Sequence, residues 1–130
     1  MPVSLVLLIE DDPDMRLILE TWVTKLGHQM LSAASALEAV KALAGSGNSP
    51  GPVVDVALLD IVLPDISGLK LLARLRTFPS YARLPAIFLS ASNDPADRAA
   101  ARDMGAQFIA KPITRAVLEA ALAAAVPAPS

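Results

Sequence analysis

The sequence predicts a doubly wound parallel α/β domain, and three observations carry that reading. Five short apolar runs, starting near residues 3, 29, 54, 86 and 107, alternate with segments whose apolar residues recur at helical spacing. The clearest runs are apolar at nearly every position, the pattern of strands covered by helices on both faces. Where the runs end, polar side chains stand: Glu10 and Asp11, Asp60, Ser90, and Lys111. A chain of 130 residues suits one such domain, with a core large enough to need no cross-links.

The first run, residues 3–9, is rich in leucine and β-branched residues, as a central strand β1 requires. It stops at Glu10, Asp11 and Asp12, followed by Pro13 and Asp14. Acids and a proline here open a helix, because free backbone N–H groups and the helix dipole favour them in its first turn. That helix, α1, over 13–26, carries Met15, Leu19, Trp22, Val23 and Leu26 at helical spacing, and Gly27 ends it. Trp22 reads as packing. His28 reads as a surface loop residue, since no second His or Cys stands nearby to share a metal. Residues 29–32 form a short, weakly marked β2. Ser35 caps α2, over 36–44, which is expected to turn Leu37, Val40 and Leu43 toward the sheet. GSGNSPGP, residues 45–52, is the clearest loop, a connection within the domain; no Gly-Lys-Ser/Thr follows it, which excludes a phosphate cradle of that kind.

Strand β3, over 54–60, runs straight into Asp60, and Pro64 and a small polar cluster follow. Ser67 caps α3, over 68–76, with Leu69, Leu72 and Leu75 inward and Lys70, Arg74 and Arg76 outward. Residues 78–85 connect to β4, over 86–89, which ends at Ser90. Asp94 caps α4, over 95–104, with Pro95 in its first turn and Gly105 behind it. Strand β5, over 107–110, ends at Lys111-Pro112. Helix α5, over 114–125, places Val117, Leu118, Ala121 and Leu122 inward, and Pro127 and Pro129 stop it.

Composition removes several function classes. The chain has no cysteine, so disulfides, thiolate metal sites and thiol nucleophiles are excluded. A net charge of −2 with scattered Lys and Arg lacks the footprint of a nucleic-acid binder. The apolar runs stay under about ten residues, against the roughly 20 needed to span a bilayer. The start, MPVSLVLLIEDD, has neither the basic region nor the cleavage site of a secretory signal, so the expected location is the cytoplasm.

In a parallel sheet the carboxyl ends of all strands face one side. With the flavodoxin-like order 2-1-3-4-5, β1 and β3 are neighbours at the switch point, so Glu10, Asp11 and Asp60 converge there while Ser90 and Lys111 approach from the flank. Each residue alone has a plain reading as a helix-start acid, a turn aspartate, a loop hydroxyl or a solvated lysine. Together, three carboxylates repel one another and either take up protons or hold a cation. An all-oxygen site open to water suits Mg²⁺. A lysine and a hydroxyl beside it complete the parts of a phosphoryl-transfer site, in which a carboxylate can be the acceptor.

LLIEDD (7–12), LLDIVLPDISG (58–68), PAIFLSAS (85–92) and GAQFIAKP (105–112), in this order and spacing, resemble the receiver domain of two-component response regulators. The resemblance covers about residues 3–126 and implies a receiver domain over 1–126, with 127–130 a tail or the start of a linker. It implies that Asp60 accepts a phosphoryl group from a sensor histidine kinase or histidine phosphotransfer protein, so that the chain is a phospho-acceptor and not an enzyme acting on other substrates. It also implies Mg²⁺ on Asp11, Asp60 and the Val62 carbonyl with Glu10 helping, Lys111 on the phosphoryl group, and a cis peptide before Pro112. In the implied switch Ser90 moves toward the phosphoryl oxygen and Phe108 turns inward, changing an α4-β5-α5 face that a downstream effector reads. A homodimer formed on phosphorylation is a further partner the resemblance allows. Ser90 replaces the more usual threonine, Phe108 the common tyrosine, and the 45–52 loop is long for the family. Apolar Val62 implies a long-lived acyl phosphate, because it cannot orient an attacking water.

Other classes fit less well. An aspartate-nucleophile phosphohydrolase wants a second acid where Val62 stands, and a nucleotide or flavin module wants a glycine-rich turn where Glu10 to Pro13 stand. A docking-only relative would usually lack the acids or the lysine. The alanine-rich α5 lacks the charges with which winged-helix regulators pair this face, which favours a stand-alone receiver or a different attached domain.

Overall fold

The computed structural model describes residues 4–45, 51–92 and 94–125. Its elements are β1 Leu5–Ile9, α1 Pro13–Lys25, β2 Gln29–Ala33, α2 Ala36–Ala44, β3 Val56–Asp60, α3 Gly68–Leu75, a 3₁₀ turn Pro79–Tyr81, β4 Ala86–Ser90, α4 Pro95–Asp103, β5 Gln107–Ala110 and α5 Arg115–Ala125. The expected strand start at Val3, most of the 45–52 loop, and the tail at 127–130 lie outside the described residues.

All strand pairs are parallel and the order is β2-β1-β3-β4-β5, as the alternation predicted. The continuous apolar runs are explained by the two cores they serve. Leu7, Ile9, Ala57, Leu59 and Phe88 point to one face, where α2, α3 and Ala101 of α4 cover them. Val6, Leu8, Val56, Leu58, Ile87, Leu89 and Ile109 point to the other, under Leu19 and Val23 of α1 and Leu118, Ala121 and Leu122 of α5. Each large side chain so buried contributes about 1.5–3 kcal/mol, which is why the sheet has no wet face.

The caps form as the sequence predicts. Ser35 accepts from the Glu38 N–H, Ser67 from Lys70 and Asp94 from Ala96, at 3.1, 3.2 and 2.9 Å. Gly27, at φ 96°, follows the end of α1 in a conformation that residues with a Cβ rarely adopt.

Four side-chain assignments are corrected. Helix α2 turns Ala36 and Ala39 to the sheet and leaves Leu37 58% and Val40 42% exposed, with only Leu43 of the expected trio packed against the core. The side chains that α2 buries are these two methyl groups, and the longer Leu37 and Val40 lie on its outer side. In α5, Val117 is exposed where it was expected inward. Arg76 does not face out: its guanidinium donates to the Leu84 carbonyl (2.9 and 3.3 Å) and to that of Met104, tying the end of α3 to two loops. His28 is half-buried, its Nδ1 shielded without a partner, and it joins no group of metal-ligating side chains among the described residues. No helix among the described residues is long and apolar enough to cross a membrane.

Candidate functional site

Strand register builds the site. Ile9 pairs with Leu59, so Glu10 and Asp60, each the next residue, emerge side by side at the carboxyl end of the sheet. Ser90 pairs with Ala110, and the Lys111 N–H donates to the Ser90 carbonyl at 2.8 Å, which starts the lysine from the same edge. The Lys111–Pro112 peptide is cis, as the resemblance implied.

The lysine then reaches across. Its Nζ lies 2.7 Å from Asp60 Oδ2 and 2.9 Å from Glu10 Oε1. The other Asp60 oxygen accepts from the Val62 N–H at 2.9 Å. Glu10 is fully buried and its Oε2 has no hydrogen-bond partner. Burial, and then the neighbouring Asp60, push the Glu10 carboxyl up to about 7, against the pull of Lys111. Burial pulls the Lys111 ammonium down, but the hydrogen bonds and charges of Asp60 and Glu10 together hold it above the ordinary lysine value.

Carboxylate oxygens of Glu10, Asp11 and Asp60 lie within 4.8 Å of one another. Asp11 is exposed, so the group opens to water on one side. One lysine against three carboxylates leaves the pocket short of positive charge, and a buried carboxylate oxygen without a partner is unfavourable. The all-oxygen donor set and the orphaned Glu10 Oε2 both fit a hard divalent cation such as Mg²⁺.

The two expected switch residues, Ser90 and Phe108, are engaged with other partners. Ser90 is buried, and its hydroxyl donates to the Ser92 carbonyl at 3.1 Å and accepts from the Ser92 N–H at 3.0 Å. Phe108 is half-buried against the α4 side of the core, with the Arg98 guanidinium carbon 4.6 Å from its ring centroid. Val62 is exposed. Three supports escaped the sequence reading. Arg16 donates to the Glu10 carbonyl at 2.8 Å. Gly68 sits where any Cβ would run into the Asp60 carbonyl. The Asp65 carboxylate accepts from backbone N–H groups of α2. Their partners are distant in sequence or are backbone atoms, and no local pattern announces either.

Comparison with known proteins agrees with this geometry. The family model for the response regulator receiver domain matches residues 6–123. The chain is 36% identical over 119 residues to the transcriptional regulatory protein AfsQ1 of Streptomyces coelicolor, covering 91% of this chain and 49% of that one. It is 36% identical over 124 residues to the transcriptional regulatory protein KdpE of Mycobacterium tuberculosis, covering 95% and 51%. The chain thus spans about half the length of these curated relatives. Among solved structures, the receiver domain of sensor histidine kinase PA1611 from Pseudomonas aeruginosa, with a magnesium ion in its active-site cleft, superposes with a TM-score of 0.80 at 26% identity over 95% of this chain and 98% of that one. A parallel five-stranded sheet with acids and a lysine at its carboxyl edge, matched by the family along nearly its whole length, places this chain among the response regulator receiver domains of two-component systems.

Proposed function

We propose that Asp60 is the phospho-acceptor of this domain. The observation that carries the reading is the Asp60 carboxylate at the strand mouth, 2.7 Å from Lys111 Nζ and within the Glu10 and Asp11 cluster. One Asp60 oxygen attacks the phosphorus of a phospho-histidine on a sensor kinase or phosphotransfer protein. The P–N bond breaks, its electron pair stays on the donor imidazole, which takes up a proton, and an acyl phosphate forms on Asp60. Lys111 leaves its carboxylate partners to meet the incoming phosphoryl oxygens. Mg²⁺, held by Asp11, Asp60, the Val62 carbonyl and, through water, Glu10, would neutralise phosphoryl charge when bound. The magnesium ion in the PA1611 receiver supports that assignment.

The switch follows from bonds that are easily exchanged. The Ser90 hydroxyl gives up its bond to the Ser92 carbonyl for a phosphoryl oxygen, and Phe108 moves inward from beneath Arg98. The α4-β5-α5 face changes with it, and an effector reads that face. The relatives named as transcriptional regulators make an attached output domain one form that effector takes.

Intact-protein mass after incubation with Mg²⁺ and acetyl phosphate tests the acceptor role. Wild type gains one phosphoryl group and Asp60→Asn gains none. A chain that binds Mg²⁺ yet takes no phosphoryl group from acetyl phosphate or a phospho-histidine donor would overturn the reading.

A further inference from the structure

The segment between Asp60 and α3 is held at three places, and one of them ties it to a different helix. At its ends, Gly68 N–H donates to the Ile61 carbonyl at 2.7 Å, and the space above the Asp60 carbonyl is too small for a Cβ at residue 68. Near its start, the Val62 N–H donates to Asp60 Oδ1 at 2.9 Å. In the middle, Asp65 reaches out of the segment. Its Oδ2 accepts from the Leu37 N–H at 2.8 Å, and its Oδ1 from the Ala36 and Ile66 N–H groups at 3.1 Å each.

Helix α2 has a cap of its own, since Ser35 Oγ accepts from the Glu38 N–H at 3.1 Å. The first-turn donors that Ser35 does not reach, Ala36 and Leu37, go to a side chain 29 and 28 positions away. Leu63 and Ile66 pack against the core and anchor the segment inward. Packing of this kind resists withdrawal but is non-directional. The carboxylate between them adds directed bonds to a fixed helix end, and those restrain sideways movement.

We infer that Asp65 is a positioning residue: tied to the first turn of α2, it holds the Val62 backbone beside Asp60, where phosphoryl transfer takes place. This rests on the phospho-acceptor reading for its purpose, though not for its geometry. It also links α2, whose outer face carries the exposed Leu37 and Val40, to the acceptor segment without passing through α4-β5-α5.

The test compares the full chain with Asp65→Ala, Asp65→Asn and Ser35→Ala. Amide exchange at Val62 is followed by NMR without Mg²⁺, and Mg²⁺ binding by calorimetry. Asp65→Ala should speed Val62 exchange by about tenfold and weaken Mg²⁺ binding by about tenfold. Asp65→Asn keeps one acceptor oxygen and should fall between, which preserves the test if the alanine variant fails to fold. Ser35→Ala destabilises α2 to a similar degree and should leave both readings at wild-type values. Unchanged Val62 exchange in the Asp65 variants, or equal effects from Ser35→Ala, would overturn the inference. If wild type binds no Mg²⁺ and takes no phosphoryl group, the phospho-acceptor reading falls, and the exchange comparison still decides whether Asp65 holds the segment.

Discussion

At the scale of the residue, the electrostatic balance of the pocket turns on Glu10. Its carboxyl, ordinarily near 4.5, is raised to about 7 because burial removes water from the charged form and Asp60 stands beside it. The folded protein therefore binds more protons than the unfolded chain between those two values. Its stability from this group is complete below about pH 4.5 and is lost as pH rises through about 7. Glu10→Gln removes the titration while keeping shape and an oxygen for Lys111. In Mg²⁺-free buffer the variant should be more stable than wild type at pH 8 by about 1–3 kcal/mol, with the gain shrinking toward pH 5. Urea unfolding across that range checks it, and a gain independent of pH would count against the assignment. The sequence shows that Glu10 ends a strand, but not that Oε2 is left without a partner, because that depends on where Asp60, at the end of β3, and Lys111, after β5, come to lie.

At the scale of the element, α2 shows how apolar spacing can name the helix and misplace its face. Residues 36, 39, 40 and 43 and residues 37, 40 and 44 both recur at helical spacing, and both sets are apolar. The larger side chains were the natural choice for the core. The structure buries Ala36 and Ala39 instead, in the same core as Leu7 and Ile9, with Ala39 wholly enclosed, so a close-packed interior leaves no room there for a longer side chain. Ala39→Leu should therefore overpack the interface and destabilise by about 1–3 kcal/mol, while Leu37→Ser should change stability by under about 0.5 kcal/mol. Chemical denaturation of the two variants distinguishes this orientation from the one the side-chain sizes suggest. Arg76 repeats the lesson for charge: basic side chains on a helix are expected in solvent, yet this one serves carbonyls of Leu84 and Met104 that only folding brings near.

At the scale of the whole molecule, the site is a cost to the fold that a ligand should relieve. Carboxylates gathered at one edge repel, so a cation that binds only the folded arrangement stabilises all of it by mass action. Mg²⁺ at about 100 times its Kd should add about 2.7 kcal/mol, seen as a rise in Tm that EDTA reverses and that Asp60→Asn diminishes. A Tm indifferent to Mg²⁺ would argue against a cation site in this pocket. The sequence by itself determined the element order, the parallel sheet, the caps and the set of polar residues at the strand ends, because hydrophobic period, capping chemistry and strand-end punctuation are written in neighbouring residues. Only the tertiary structure decided that α2 packs through its alanines, that the Ser90 hydroxyl rests on its own loop, that Arg76 turns inward, and that Asp65, in the segment after Asp60, bonds to the first turn of α2. Arg76 and Asp65 each reach a partner 28 positions away, α2 packs on strands from other parts of the chain, and the Ser90 hydroxyl chooses its neighbour only where β4 ends in the assembled sheet; none of these is settled before the strands have taken their register.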